Sequence, residues 1–159
     1  ALTGLPDSFT LKWPNDVLCN GGKLAGILLE SQGLNGPAPV LCIGIGVNLI
    51  AAPDVSQVEG GAVPPVSLLQ ETGLRITPAA FLDSLAPAYA AWEATFSTQG
   101  FAPLRAAWLA HAARLGETIR ARTGNDTREG VFQTIDSAGN LILRMAHGPV
   151  AIPAAEVFF

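Results

Sequence analysis

Between Ser8 and Trp13 polar and apolar residues alternate. Phe9, Leu11 and Trp13 fall on one side and Ser8, Thr10 and Lys12 on the other, the period of a half-buried strand. Pro14 has no N–H to donate and Asn15-Asp16 favours a turn, so the strand is expected to end at WPND. The run VLC, the turn NGG and the run KLAGILLE then read as a hairpin whose turn places Asn and Gly where positive φ is needed. A polar loop, SQGLNGPAP, leads into VLCIGIGVNLI. The two longer strands are apolar on both faces, which predicts a sheet covered by helices.

From 51 to 65 the chain is Pro, Gly and small residues, a long surface loop or lid. PVSLLQETG predicts a short helix stopped by Gly73. A longer helix follows, with Thr77 as cap, Pro78 in the first turn, a bend at Pro87, and Phe81, Leu85, Tyr89, Trp92 and Phe96 along one stripe. Gly100 should end it. APLRAAWLAHAARLG supplies a partner helix with Leu104, Trp108 and Leu115 on its buried side, so that an αα-hairpin lies on the sheet. After Gly116 the pattern changes to short alternating runs, ETIRART, GVFQTID, NLILRMA and VAIPAAEVFF, separated by the turns GND, SAGN and HGP. These predict a small β-barrel over 116–159, docked on a first unit over 1–115 because so short a barrel is marginal alone.

Composition narrows the partners. With 49% apolar and 14% charged residues in 159, the chain is globular. Gly, Pro or charge interrupts every apolar run before the ~18 residues of a membrane span. The net charge of −4 and the lack of a basic cluster exclude nucleic acid as a partner through these residues. Cys19 and Cys42 sit in apolar runs without Cys-x-x-Cys spacing or a secretory leader, so both are expected to be reduced, buried thiols of a cytoplasmic protein. The chain starts at Ala1 in mid-pattern, as if numbered from inside a longer protein.

Lys12 and Lys23 are the only lysines, against seven arginines. An ammonium on a strand apolar on both faces is costly to bury unless an anion meets it. Strict alternation puts Lys23 with Ala25, Ile27 and Leu29, away from Glu30 and with Gly26 on the opposite face. A ligand anion is the natural partner. Gly44 and Gly46 interrupt a Val/Ile/Leu strand, as happens where a ligand or another backbone approaches closely. Asn15 offers an amide that reads hydrogen-bonding edges, Asp16 a carboxylate able to hold Mg²⁺, and Asn48 ends the glycine strand. Together these groups suit a reaction on a nucleotide phosphate. The plainer alternative is that Lys23 sits at a hairpin end in water, Asn15 and Asp16 form a turn, and the glycines are packing or bulge positions. GIGVN alone is weak, because no third glycine opens a helix after it. His111 and His147 lack a second ligand at metal spacing and read as packing or surface residues.

KWPND, a second lysine eleven residues after the first, KLAGILLE and IGIGVNL, in that order, resemble the second half of the catalytic domain of biotin protein ligases. The likeness continues through GFAPLRAAW to the C-terminal runs. The resemblance implies an α/β (α+β) fold: a class II aminoacyl-tRNA-synthetase/biotin-ligase-like mixed sheet covered by helices, truncated at its N-terminus, plus a small SH3-like barrel. It also implies an activity, in which biotin and MgATP give biotinyl-5′-adenylate and biotin then passes to a lysine of the biotin carboxyl carrier domain of a carboxylase. Carried over by residue, Lys23 and Asp16 are catalytic, Asp16 is the metal ligand, and Lys12, Asn15, Lys23, Gly26, Ile27, Gly44, Gly46 and Asn48 hold biotin and ATP. A homodimer is compatible with the family. Trp13, on the face of Phe9 and Leu11, reads as core.

The family's Gly/Arg-rich loop, GRGRxGRxW, does not occur in these residues. On that ground the 159 residues alone are expected to show little or no ligase activity. Two alternatives stand beside the biotin reading: a lipoate or octanoate ligase on the related fold, and a non-catalytic binding or dimerisation module.

Overall fold

The computed structural model describes residues 5–32, 40–124 and 126–159, and it is an α/β arrangement of two antiparallel sheets and few helices. The first sheet holds β1 (Phe9–Lys12), β2 (Asp16–Cys19), β3 (Gly22–Gln32) and β4 (Val40–Val47) in the order β1-β2-β3-β4. Asn20 (φ 49°) and Gly21 (φ 83°) make the turn between β2 and β3, the left-handed conformation that NGG supplies. Most of the loop SQGLNGPAP, and Asn125 of the turn GND, lie outside the described residues. The pairing of β2 with β3 is irregular at one point. Val17 pairs with Ala25 but Leu18 pairs with Lys23, so Leu24 is an extra residue, a β-bulge.

Three α-helices follow among the described residues. In α1 (Leu68–Thr72) the Ser67 hydroxyl accepts from the Gln70 N–H, and Gly73 at φ 73° stops the helix. In α2 (Pro78–Gln99) the Thr77 hydroxyl accepts from the Ala80 N–H and Pro87 lies in the helix interior. Gly100 at φ 74° separates it from α3 (Phe101–Ala110). The second sheet contains β5 (Thr118–Thr123), β6 (Asp126–Ile135), β7 (Leu141–Met145), β8 (Gly148–Ile152) and β9 (Glu156–Phe158). Its order is β8-β7-β6-β5-β9, and among the described residues no pairing of β8 with β9 closes it into a barrel.

The two sheets have separate cores. Cys19, Leu24, Leu49 and Leu68, with Phe9 and Phe81 against them, fill the first. Ile119, Ala121, Phe132, Ile135, Leu141, Leu143, Ile152 and Val157 fill the second, each large side chain contributing about 1.5–3 kcal/mol by its removal from water. Trp108 of α3 meets Phe132 edge-on, with ring centroids 6.3 Å apart. Trp13 is core, but of the second sheet rather than on the face of Phe9. β1 ends at Lys12, so alternation no longer governs the next residue, and the Trp13 indole N–H donates to the Gly139 carbonyl at 3.1 Å. On the first sheet, the Leu11 N–H donates to the His111 carbonyl and the Ala113 N–H to that of Leu11, both at 2.8 Å, fixing β1 to the end of α3.

Other expectations are corrected by exposure. α2 contributes no buried residue, and Tyr89, Trp92 and Phe96 stay about half exposed. Leu28 and Leu29 on β3, and Val40, Leu41, Ile43 and Ile45 on β4, are exposed as well. The αα-hairpin therefore covers only part of the sheet, and nothing among the described residues covers the rest. Leu115 is also exposed. Cys19 is buried, its thiol pushed up by burial and then by the charge of Glu71, whereas Cys42 is exposed on β4.

Candidate active site

Residues paired directly across antiparallel strands share a face of the sheet. Lys12 pairs with Asp16, Asp16 with Gly26, and Gly26 with Gly46, so these four form one rung across all four strands of the first sheet. Lys23 joins the same face. Strict alternation sets it opposite Gly26, but the extra residue Leu24 reverses the side. A Cβ added to Gly26 would stand 3.5 Å from the Lys23 Cε and 3.5 Å from Asp16 Oδ1.

Asp16 holds the two ammonium groups together. Its Oδ1 lies 2.7 Å from Lys23 Nζ and its Oδ2 3.2 Å from Lys12 Nζ. Lys12 and Asp16 are nearly buried, while the Lys23 side chain keeps 43% of its exposure. Two positive charges thus face one negative charge, and the surplus sits on the accessible lysine. An accessible ammonium of this kind is the type of group that pairs with a carboxylate or phosphate.

A hollow of about 630 Å³ opens over this cluster. Gly26, Gly44 and Gly46 give it a floor without side chains, since Gly44 and Gly46 are two apart on β4 and Gly26 faces Gly46. Pro14, Asn15, Ile27 and Leu28 line one part of it. The opposite wall, Ala155, Glu156 and Val157, comes from the second sheet. Sequence reasoning does not find those three residues. An alternating EVF run signals a strand, but nothing in it indicates which unit the strand will face.

Two residues have structural work that the sequence does not reveal. The Asn15 carbonyl accepts from the Ile27 N–H at 2.9 Å and its side-chain amide donates to the Ile27 carbonyl, which pins the WPND turn to β3. Asn48 donates to the carbonyls of Val66, at 3.0 Å, and Lys23. It lines not the first hollow but an adjoining one of about 330 Å³, with Pro53, Val58 and Pro65. Lys23, Gly26 and Gly46 border both hollows.

Among the described residues no group of three or more His, Cys, Asp or Glu side chains could hold a metal ion. Asp16, the expected metal ligand, has both oxygens turned to ammonium groups. Among the described residues, the protein's own side chains do not by themselves make up a resident metal site. No helix of the described residues is long and apolar enough to cross a membrane.

This fold is that of solved biotin protein ligases. The chain superposes on the biotin protein ligase of Aquifex aeolicus with a TM-score of 0.81 at 19% identity, covering 98% of this chain and 68% of that one. For the same organism's protein in complex with biotin and ATP the TM-score is 0.75 at 19% identity, with 98% and 65% covered. Residues 3–48 match the Biotin/lipoate A/B protein ligase family and residues 115–159 the Biotin protein ligase C terminal domain. The chain belongs to the biotin protein ligase family. It is 60% identical over 149 residues to a biotin–[acetyl-CoA-carboxylase] ligase of Paracoccus denitrificans, covering 94% of this chain and 62% of that protein. It is 33% identical over 147 residues to the bifunctional ligase/repressor BirA of Bacillus subtilis, covering 92% and 45%. The chain thus spans less than two thirds of the length of either relative.

Proposed function

We propose that this chain is part of a cytoplasmic enzyme that activates biotin with MgATP and transfers it to a lysine of a biotin carboxyl carrier domain. The observation that carries the reading is the Lys12–Asp16–Lys23 cluster beside a glycine floor. An apolar ring system can lie on the bare backbone of Gly26, Gly44 and Gly46, next to Ile27, with its carboxylate end toward the ammonium groups. Residues 1–115 would supply this surface and 116–159, an SH3-like unit, the wall behind Glu156.

In the first step a biotin carboxylate oxygen attacks the α-phosphorus of ATP, the bond to the bridging oxygen breaks, and pyrophosphate leaves. Charge grows on the α-phosphoryl oxygens, and Lys23, the more accessible lysine, stabilises it. Lys12 adds a second positive charge from a nearly buried position. Asp16 holds both lysines in place, and magnesium enters as part of the MgATP substrate. In the second step a neutral carrier lysine amine attacks the carbonyl of the mixed anhydride and AMP departs. The amine's proton passes to solvent, since both oxygens of Asp16 are engaged by the two lysines.

Lys23→Ala in the full-length polypeptide is expected to slow biotin-dependent pyrophosphate release at least ~100-fold, the scale of losing one charge-stabilising donor. Release at the unaltered rate removes Lys23 from the chemistry. Competition by free biotin but not by lipoate separates this reading from a lipoate ligase, and failure to bind biotinyl-adenylate would leave only an interaction module.

A further inference from the structure

Away from Asp16, ionic contacts gather on Arg122 of β5. Its two terminal nitrogens meet the two oxygens of Glu59 at 2.7 and 2.8 Å, fork to fork. One of them also donates to Glu156, the residue paired with Arg122 across β5 and β9. The guanidinium stands 4.9 Å from the centroid of the Phe158 ring. A planar group with five donors can serve all of these partners, as an ammonium cannot.

The partners belong to two walls. Glu156, with Ala155 and Val157, lines the larger hollow. Glu59 lies in the loop 51–65, after a short turn that Asp54 and Gln57 cap reciprocally. Pro53, Val58 and Pro65 of that loop line the smaller hollow. The end of the loop runs along Lys23, where the Lys23 N–H donates to the Pro64 carbonyl at 2.8 Å and the Val66 N–H to the Lys23 carbonyl at 2.9 Å. Arg122 therefore joins the wall contributed by the second sheet to the wall contributed by the loop, and Lys23 stands between the two hollows.

We infer that Arg122 is a positioning residue for substrate binding, an ionic latch between β9 and the loop 51–65 that sets the spacing of the walls on either side of Lys23. The inference rests on the reading of the site as the place of biotin activation. Arg122 does not line either hollow, so its loss should weaken binding while leaving the chemical step intact.

The test uses the full-length polypeptide with Arg122→Ala, Arg122→Lys, Glu59→Gln and the Glu59→Gln/Arg122→Ala pair. Amide hydrogen exchange over 55–62 is measured alongside KM for ATP and kcat from pyrophosphate release. Arg122→Ala is expected to speed exchange over 55–62 and to raise KM for ATP about fivefold with kcat within about twofold, the scale of losing a small exposed ionic network. Arg122→Lys should recover part of that loss, and the paired variant should cost no more than Arg122→Ala alone. Unaltered exchange overturns the latch, whether or not the protein is a biotin ligase. Faster exchange with an unaltered KM overturns the positioning role, and additive losses in the paired variant overturn the Glu59 contact. Absence of biotin-dependent pyrophosphate release in the unsubstituted protein would refute the proposed function, and the exchange measurement would still decide the latch.

Discussion

Asp16 Oδ1 and Lys23 Nζ are 2.7 Å apart because one extra residue, Leu24, turns Lys23 to the face that alternation assigns to Gly26. The carboxylate also serves Lys12, which is almost fully buried. Removing the negative charge strands a buried ammonium. Asp16→Asn is expected to destabilise the fold by about 3 kcal/mol, nearly all of it through Lys12, since Lys23 can turn to water. Chemical denaturation reads this directly. Lys12→Met combined with Asp16→Leu should recover most of the loss, and an unshifted midpoint in Asp16→Asn would show that the pair contributes nothing.

Two glycines of β3 should respond differently to a single methyl group. A Cβ on Gly22 would lie 2.3 Å from Val66 Cγ1, so Gly22→Ala should cost about 1–3 kcal/mol of stability through overpacking. On Gly26 the nearest atoms are 3.5 Å away, ordinary contact, so Gly26→Ala should leave stability within about 0.5 kcal/mol. The methyl group would instead rise from the floor of the hollow and weaken biotin binding about tenfold or more. Thermal melts and calorimetric titration with biotin distinguish the two, and equal melting shifts would count against the proposed floor.

Trp13 leaves the first sheet and ends in the core of the second, its indole N–H on the Gly139 carbonyl. Trp13→Phe should therefore cost about 1–3 kcal/mol, from the lost hydrogen bond and the space left behind. Equilibrium unfolding measures it. Stability equal to that of the unsubstituted protein would mean that this contact does not join the two sheets.

Asp136 gives the turn between β6 and β7 an acid-sensitive contribution. The Asn140 side chain, then the backbone N–H groups of Asn140, Ala138 and Gly139, hold its carboxyl below the ordinary range. A carboxyl with a lower pKa when folded binds fewer protons in the folded state. Its contribution is fully present above the unfolded value of about 3.9 and is lost as pH falls through the folded value. Denaturation midpoints measured from about pH 5 to pH 2 should therefore fall less steeply for Asp136→Asn. Parallel acid limbs for the two proteins would refute this.

Local signals are legible in the sequence where they act within a few residues. Asn20-Gly21 requires a left-handed turn, Ser67 and Thr77 cap helices, and Gly73 and Gly100 stop them. The WPND corner and both lysines stand out for the same reason, since residue type and spacing carry them. The illegible part depends on pairing. The bulge at Leu24 has no composition of its own and is visible only as a shift of partner between Val17 and Leu18. Arg122 and Glu59 are 63 residues apart, and Glu156 meets them only after β9 folds back along β5. The spacing of Tyr89, Trp92 and Phe96 marks an apolar stripe, but such a pattern does not show whether its cover lies within the same stretch of chain.

Along β4, one row of backbone amides and carbonyls has no neighbouring strand among the described residues, and its side chains are greasy on both sides. Such a margin is a template for sticking to any extended chain that drifts by. This polypeptide should clump as it is concentrated, and purification would go better with a soluble fusion partner. A charged residue such as Lys in place of Ile43 would be the simplest remedy.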